Sequence, residues 1–500
     1  MSTSSPNNWP ETFVSDTTMS RAVNRAVRAG RLRKLGSRLY TPNLRDEPEA
    51  IVRRNLWQIV ASYFPGALIA DRTALENAPA EDGSICLITE KGNDIALPGI
   101  VLRPRRGLGP QEQDRPFIAG LHLSSIARAY LENMRPSRRA RSGSLARTLS
   151  RRELEERLET LLRRSGVEAL NHLRDQIKAL APALGLVAEG DSLSALIGAL
   201  LGTREDDLIS PIARARHAGS PYDPDRLELF HILQRSLRNH LTVPCMAPSR
   251  DPVAAATLSF FEAYFSNFIE GTEFEVSEAA DIVFRGHIPM ERPADAHDIL
   301  GTWRIVSDPT DMGHAPASFA EFLVLLRRRH GMIMEGRPEK GPGCFKSVPN
   351  RAGQTVFVAP ELVEGTLSEG FSLYRSLETA FQRAVFMMFM VAEVHPFADG
   401  NGRVARIMMN ADLIANGEER IVVPTVYRGN YLAALKALSL TANPEPLIRA
   451  LDYAQRWTLS VPWGELQTTQ AVLESCHAFL DPMTAEAQGI RLQMPSQLKT

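Results

Sequence analysis

The sequence predicts a mostly α-helical protein. A long C-terminal half carries one β-hairpin, and a smaller α+β region precedes it. Three observations predict this. From Leu227 to about Leu459 apolar residues recur at helical spacing almost throughout, with one interruption at 343–360. Between Pro48 and about Arg106, helical runs such as IVRRNLWQIVASYF alternate with the short apolar segments ALIAD, SICLIT and IVLRP. The 500 residues exceed one ordinary core, so two to four domains are expected.

The bulk properties narrow the function classes. A formal net charge of −1 excludes a chain that holds nucleic acid by overall charge, although local basic patches are a separate matter. Cys86, Cys245, Cys344 and Cys476 make no CxxC pair and no zinc spacing, which fits unpaired thiols in a reducing compartment. The N-terminal MSTSSPNNWPETF has no charged segment followed by an apolar one, and the densest apolar run, Ala384 to Ala392, is too short to cross a bilayer. The expectation is a cytoplasmic protein without a membrane partner. Neither a P-loop nor HExxH occurs, and His477 beside Cys476 has no third ligand.

Residues 1–16, rich in Ser, Thr, Asn and Pro, read as a disordered leader. In SRAVNRAVRAGRLRKLGSRLYTPN a short helix carries Arg21, Arg25 and Arg28 and ends at Gly30. An alternating segment with Leu32, Leu35, Leu39 and Tyr40 around Gly36 follows. A helix, a glycine and a small hairpin are how a winged helix closes, and no acid lies between Ser20 and Asn43. The Arg-rich MRPSRRARSGSLARTLSRREL reads as a loop entering a helix capped by Ser150 with Glu153. A polar linker is expected at 206–225, and a weakly ordered tail at 461–500. The α+β region at 17–205 resembles the N-terminal half of AbiEi-type antitoxin or regulator proteins. That resemblance implies a partial winged helix that binds DNA through residues 20–38.

The chemistry concentrates in VAEVHPFADGNGRVARIMMN, 391–410. The run Phe381 to Val394 is apolar on nearly every face and belongs in a core. Pro396 cannot continue that helix and drives His395 out of the α region, so the histidine stands at the mouth of a buried helix. Gly400 and Gly402 free the backbone. Their N–H groups, with that of Asn401, then precede a new helix from Arg403 to Ala415, and a helix N-terminus of this kind is an anion site. Arg403 and Arg406, three apart, leave the first turn on one side and suit a polyphosphate. Asp399 would repel phosphate unless a hard cation such as Mg²⁺ lay between them. His395 is placed to take a proton from an incoming hydroxyl.

The string HPFADGNGR, with Arg406 behind it, resembles the signature of Fic-domain proteins at every fixed position. The resemblance implies an all-α core over 226–460 that transfers AMP from ATP to a Ser, Thr or Tyr hydroxyl of a target protein, the protein itself included. It implies His395 as general base and Asp399 as the Mg²⁺ ligand. Gly400, Asn401 and Gly402 would form the anion hole, with Arg403 on the β- and γ-phosphates, Arg406 on the γ-phosphate and Phe397 packed into the core. FFEAYFSNFIEGTEF resembles the family's inhibitory helix, in which Ser266, Glu270 and Gly271 form the motif and Glu270 pairs with Arg406, making the protein self-inhibited. In GPGCFKSVPNRAGQTVFVAPELVEG the turn is expected at Asn350 to Gly353, with an extended segment of Thr355, Val356, Phe357 and Val358. It resembles the Fic flap, which docks an extended target segment by strand addition. Asn430 and Tyr431 stand where family members contact the nucleotide base, and members of this kind often pair as homodimers. The same pocket could also remove AMP, transfer another nucleotide or phosphate group, or serve as the sensor of a DNA-binding regulator.

Overall fold

A computed structural model describes residues 9–90, 92–137, 144–240, 243–353 and 355–495. The chain divides into two units, 1–219 and 220–500. Among the described residues no helix is long and apolar enough to cross a membrane.

The first unit opens on β1 (Phe13–Val14), helix α1 (Ser20–Arg28), β2 (Arg33–Gly36) and β3 (Leu39–Thr41), with the strands in the order β1-β3-β2. The expected helix and hairpin are present. Val23 and Ala26 bury one face of α1, while Arg21, Arg25 and Arg28 are exposed on the other. The expected leader is corrected here. Phe13 pairs with Tyr40 and Val14 with Leu39, and Trp9 stacks on Phe13 with centroids 4.6 Å apart, because two aromatics in a polar stretch suffice to dock it. Residues 1–8 of that leader lie outside the described residues.

A mixed six-stranded sheet follows, in the order β6-β7-β5-β4-β9-β8: β4 (Leu68–Ile69), β5 (Ser84–Ile88), β6 (Ile95–Leu97), β7 (Ile100–Arg105), β8 (Arg115–Pro116) and β9 (His122–Leu123). Ile85, Leu87 and Leu102 of the paired β5 and β7 are wholly buried beneath the helix Leu56–Tyr63. Helix α2 (Arg151–Leu184) starts with the capping box that its spacing predicts, and Gly166 at φ 80° interrupts it. The polar linker expected at 206–225 is corrected in part. Pro211–His217 is a helix in the first unit, with Ile212 and Ala213 buried and Arg216 on Glu159 at 2.8 Å.

The second unit is helical, with a single hairpin of β10 (Arg351–Ala352) and β11 (Thr355–Val356). Its turn is at Gly353 rather than spread over 350–353, so Arg351 and Ala352 are strand residues. The named helices here are α3 (Pro252–Ile269), α4 (Pro293–Val306), α5 (Phe319–Ile333), α6 (Ala380–Val394), α7 (Asn401–Ala415) and α8 (Arg428–Thr441). Helices α6 and α7 are the core pair, and Val385, Phe386, Met387, Phe389, Val404 and Leu413 are completely buried. The tail expected to be weakly ordered is also corrected. Leu466–Ser475 and Pro482–Gln488 are helices. Leu473, Cys476 and Ala485 are buried with Phe261, Phe265 and Trp457, and Phe479 lies 5.2 Å from the Phe265 ring. Residues 496–500 are not among the described ones.

Candidate active site

The site is built where α6 stops and α7 starts. The chain leaves α6 through His395 at φ 53°, a left-handed conformation that a non-glycine residue adopts at a cost. Pro396 behind it prevents a further helical turn. The imidazole Nδ1–H donates to the Ala392 carbonyl at 3.2 Å, which leaves Nε2 as a bare acceptor. Burial pushes the imidazole down to about 4, with the Lys346 charge adding to the effect and Glu270 and Asp399 opposing it. The ring is therefore neutral at neutral pH and able to take a proton.

The loop after His395 is held from several elements. Asn401, 1% exposed, accepts from the Phe397 N–H and donates to the Phe397 carbonyl, both at 2.9 Å. Its side chain therefore staples the turn, and only its backbone is left for an anion. Asn350 donates to the same carbonyl at 2.9 Å. Phe397 is fully buried, as expected, and stacks on His330 with centroids 3.6 Å apart. The His330 tautomer follows from its partners: Nδ1 accepts from the Gly343 N–H at 3.0 Å, so Nε2–H donates to the Asp399 carbonyl at 2.9 Å. Burial lowers this imidazole to about 4. Lys346 completes the frame. Its N–H donates to the Pro396 carbonyl at 2.8 Å, its ammonium reaches Asn350 at 2.7 Å, and burial lowers it to about 8.

Gly400, at φ 73°, is the N-cap of α7 and has no side chain to cap the helix N–H groups. Asp399 Oδ1 accepts from the Gly400 N–H at 2.7 Å, and the carboxylate is half-buried. Above Gly402 sits Glu270: a Cβ on this glycine would lie 2.1 Å from Glu270 Oε1. Only glycine leaves room for the carboxylate at the mouth of the cradle. Glu270 Oε1 accepts from Arg406 at 2.8 Å. Arg406 also donates to the Ser266 hydroxyl at 3.0 Å and the Ser266 carbonyl at 2.8 Å. Burial opposes the Arg406 charge, but Glu270 and Tyr431 beside it raise the guanidinium above its usual value. Helix α3 delivers Ser266 and Glu270 from its last turn, and Gly271 at φ 88° ends it. Ser266, Glu270, Gly402 and Arg406 thus meet as the sequence predicts.

Four expectations are corrected. Arg403 does not stand beside Arg406 over the cradle. It is 3% exposed and committed to Asp298 at 2.6 Å and Asn267 at 3.2 Å, although its buried Nε has no partner among the described residues. Tyr431 is a core residue, 1% exposed, with its hydroxyl 3.3 Å from Met388 Sδ, and Asn430 beside it is exposed near Tyr427 and Met483. Val358 is wholly buried in the core, so its side chain cannot meet a target. Phe357 does not face outward either. It stacks flat on His395, with centroids 3.8 Å and planes 6° apart. Thr355 and the exposed Val356 are what the hairpin presents. Sequence reasoning missed Asn267, Asp298, His330 and Lys346, since each acts singly and from another helix or loop. Of these, only Asn267 could have been suspected, because it lies inside the Ser266–Gly271 string.

Comparison with known proteins agrees with this geometry. The model of the Fic/DOC family matches residues 323–413, which covers most of α5, the hairpin, α6 and most of α7. A Fido domain-containing protein of Dictyostelium discoideum is 30% identical over 99 residues, covering 19% of this chain and 69% of that protein. The protein adenylyltransferase fic-1 of Caenorhabditis elegans is 23% identical over 237 residues, covering 45% of this chain and 46% of that protein. The chain spans less than half the length of the nematode adenylyltransferases it matches. A solved Fic-domain signalling protein of Bacteroides thetaiotaomicron aligns at 18% identity with a TM-score of 0.37, over 49% of this chain and 97% of that one. With the matched segment carrying His395, the Gly400–Gly402 turn and Arg406 in one assembled loop, the chain belongs to the Fic/DOC family.

Proposed function

We propose that the chain is a self-inhibited protein adenylyltransferase that moves AMP from ATP to a Ser, Thr or Tyr hydroxyl of a protein target. The single observation that carries this reading is the neutral His395 at the edge of an anion cradle whose mouth holds Glu270, bonded to Arg406 at 2.8 Å. His395 Nε2 takes the proton of the target hydroxyl. The oxygen bonds to the α-phosphorus, the bond from that phosphorus to the β-bridging oxygen breaks, and pyrophosphate leaves. The N–H groups of Asn401 and Gly402, at the start of α7, carry the phosphate charge, while the Gly400 N–H is held by Asp399 Oδ1. Asp399 suits Mg²⁺, which takes one or two carboxylates and completes its shell with phosphate oxygens and water. Among the described residues no three-ligand protein cage competes with it. Bound there, the cation would offset the phosphate charge that Asp399 otherwise repels. Glu270 occupies the guanidinium that the γ-phosphate needs, and so holds the site idle.

The relatives named adenylyltransferases support the transfer of AMP rather than phosphate. Intact-mass and peptide mass spectrometry of the Glu270→Gly chain after incubation with ATP and Mg²⁺ tests the reading. The expected product is an AMP adduct on a hydroxyl side chain of the chain itself or of an added protein. A phosphate adduct alone would mean that the site transfers the wrong end of ATP and the reading fails.

A further inference from the structure

The hairpin does something that strand docking does not require. We propose that Phe357 is a positioning residue for the base: its ring face fixes the His395 imidazole so that Nε2 points to the reacting hydroxyl. The inference rests on the reading of His395 as general base and names a residue that aims it.

Imidazole on a two-bond side chain can rotate, and one hydrogen bond, from Nδ1–H to the Ala392 carbonyl at 3.2 Å, leaves that rotation loosely constrained. A flat aromatic contact at 3.8 Å and 6° supplies the second restraint, because it defines the plane in which the ring lies. The first fixes which nitrogen is bare, and the second fixes where it points.

Phe357 is itself held on both sides. Its N–H donates to the Asn350 carbonyl at 3.2 Å. The carbonyl of Val356 before it accepts from Arg226, which also pairs with the buried Glu393 at 3.0 Å, two residues ahead of His395. The side chain of Val358 after it is buried in the core. The contact is therefore a constructed one. The registry of β10 and β11 pairs Arg351 with Val356, and the Phe357 N–H closes on Asn350, so the Val356 backbone faces outward, its carbonyl held by Arg226 and its N–H on the outer edge. One short strand thus offers its edge at Val356 and places its next side chain on the base. A displacement of that strand moves the base with it. The covering ring also contributes to the burial that lowers the imidazole.

The test uses the full chain labelled at the histidine ring carbon Cε1, with the His395 resonance among the 11 histidines identified by its loss in His395→Ala. The wild-type resonance is expected upfield from the ring current of Phe357, with a titration midpoint well below 6.5. In Phe357→Leu the upfield shift disappears and the midpoint rises, and Phe357→Tyr restores both. In the Glu270→Gly background, Phe357→Leu lowers kcat for AMP transfer roughly tenfold, within the range of a misdirected general base, and leaves the KM for ATP unchanged. An unchanged resonance in Phe357→Leu overturns the proposal, whatever happens to the rate. A changed resonance with an unchanged kcat overturns it as well. If Glu270→Gly transfers no AMP at all, the adenylyltransferase reading fails separately, and the resonance alone decides whether the ring is aimed.

Discussion

Replacing Glu270 by glycine removes one carboxylate and leaves the rest of α3 in place, since Glu270 is the cap residue after Ile269. The magnitude follows from what Arg406 loses and what ATP gains. A charge-assisted hydrogen bond of 2.8 Å is worth roughly 1.5–3 kcal/mol when sheltered. The Glu270 side chain is 29% exposed, so solvent screening brings its hold down to about 1–2 kcal/mol. Released to the γ-phosphate, that energy corresponds to a gain of roughly 5- to 30-fold in ATP affinity. Arg406 keeps both bonds to Ser266, so its guanidinium stays aimed at the cradle. Calorimetric titration with ATP and then ADP isolates the effect. ADP has no γ-phosphate, so its affinity should change less than about threefold. If ATP and ADP gain equally, or neither gains, Glu270 does not compete with the γ-phosphate for Arg406 and the inhibitory account is refuted.

Three further outcomes follow from the same geometry. Asp298→Asn leaves the Arg403 and Arg337 guanidinium groups sharing a neutral amide where both now pair with one buried carboxylate, and should destabilise the second unit by about 3–5 kcal/mol, read as a fall of several degrees in melting temperature; an unchanged Tm contradicts the ion-pair assignment. Tyr431→Phe should leave AMP transfer in the Glu270→Gly background within about twofold, because the hydroxyl is buried against Met388 Sδ and the ring beside Arg406 is kept; a large rise in the KM for ATP would restore the base-contact reading. The imidazoles of His330 and His395 both sit near 4 in the folded chain against 6.5 when free, so the unfolded chain takes up protons first. Stability that is complete above pH 6.5 is lost as pH falls through about 4, by up to roughly 3 kcal/mol for each ring. Urea midpoints at pH 7 and pH 5 should show the loss, and a flat profile would contradict it.

The loop from His395 to Arg406 was legible because its chemistry is contiguous: a proline stop, two glycines and an arginine three residues on are local events in one stretch of chain. The contact of Ser266 and Glu270 with Arg406 was legible for a related reason, since the two lie one helical turn apart and their partner was already in view. What stayed hidden was set by long-range packing. Nothing in the pattern around Asp298 says that it takes Arg403, and His330 gains its role only when Gly343 and Asp399 close on it from either side. The segments read as loose failed for the opposite reason. Phe13 and Phe479 each dock against rings distant in sequence, Phe13 on Tyr40 and Phe479 on Phe261, Tyr264 and Phe265, and a windowed pattern cannot register such contacts. In sequence Phe357 belongs to an extended docking segment, and alternation along that segment cannot say that the His395 ring covers one of its faces.

The most direct test of the account is label transfer from α-³²P-ATP with Mg²⁺ in three proteins: the wild-type chain, Glu270→Gly, and Glu270→Gly with His395→Ala. The account predicts little label on the first, strong label on the second and none on the third, with ATP still bound by all three. Equal labelling of wild type and Glu270→Gly, or label that survives the loss of His395, would contradict it.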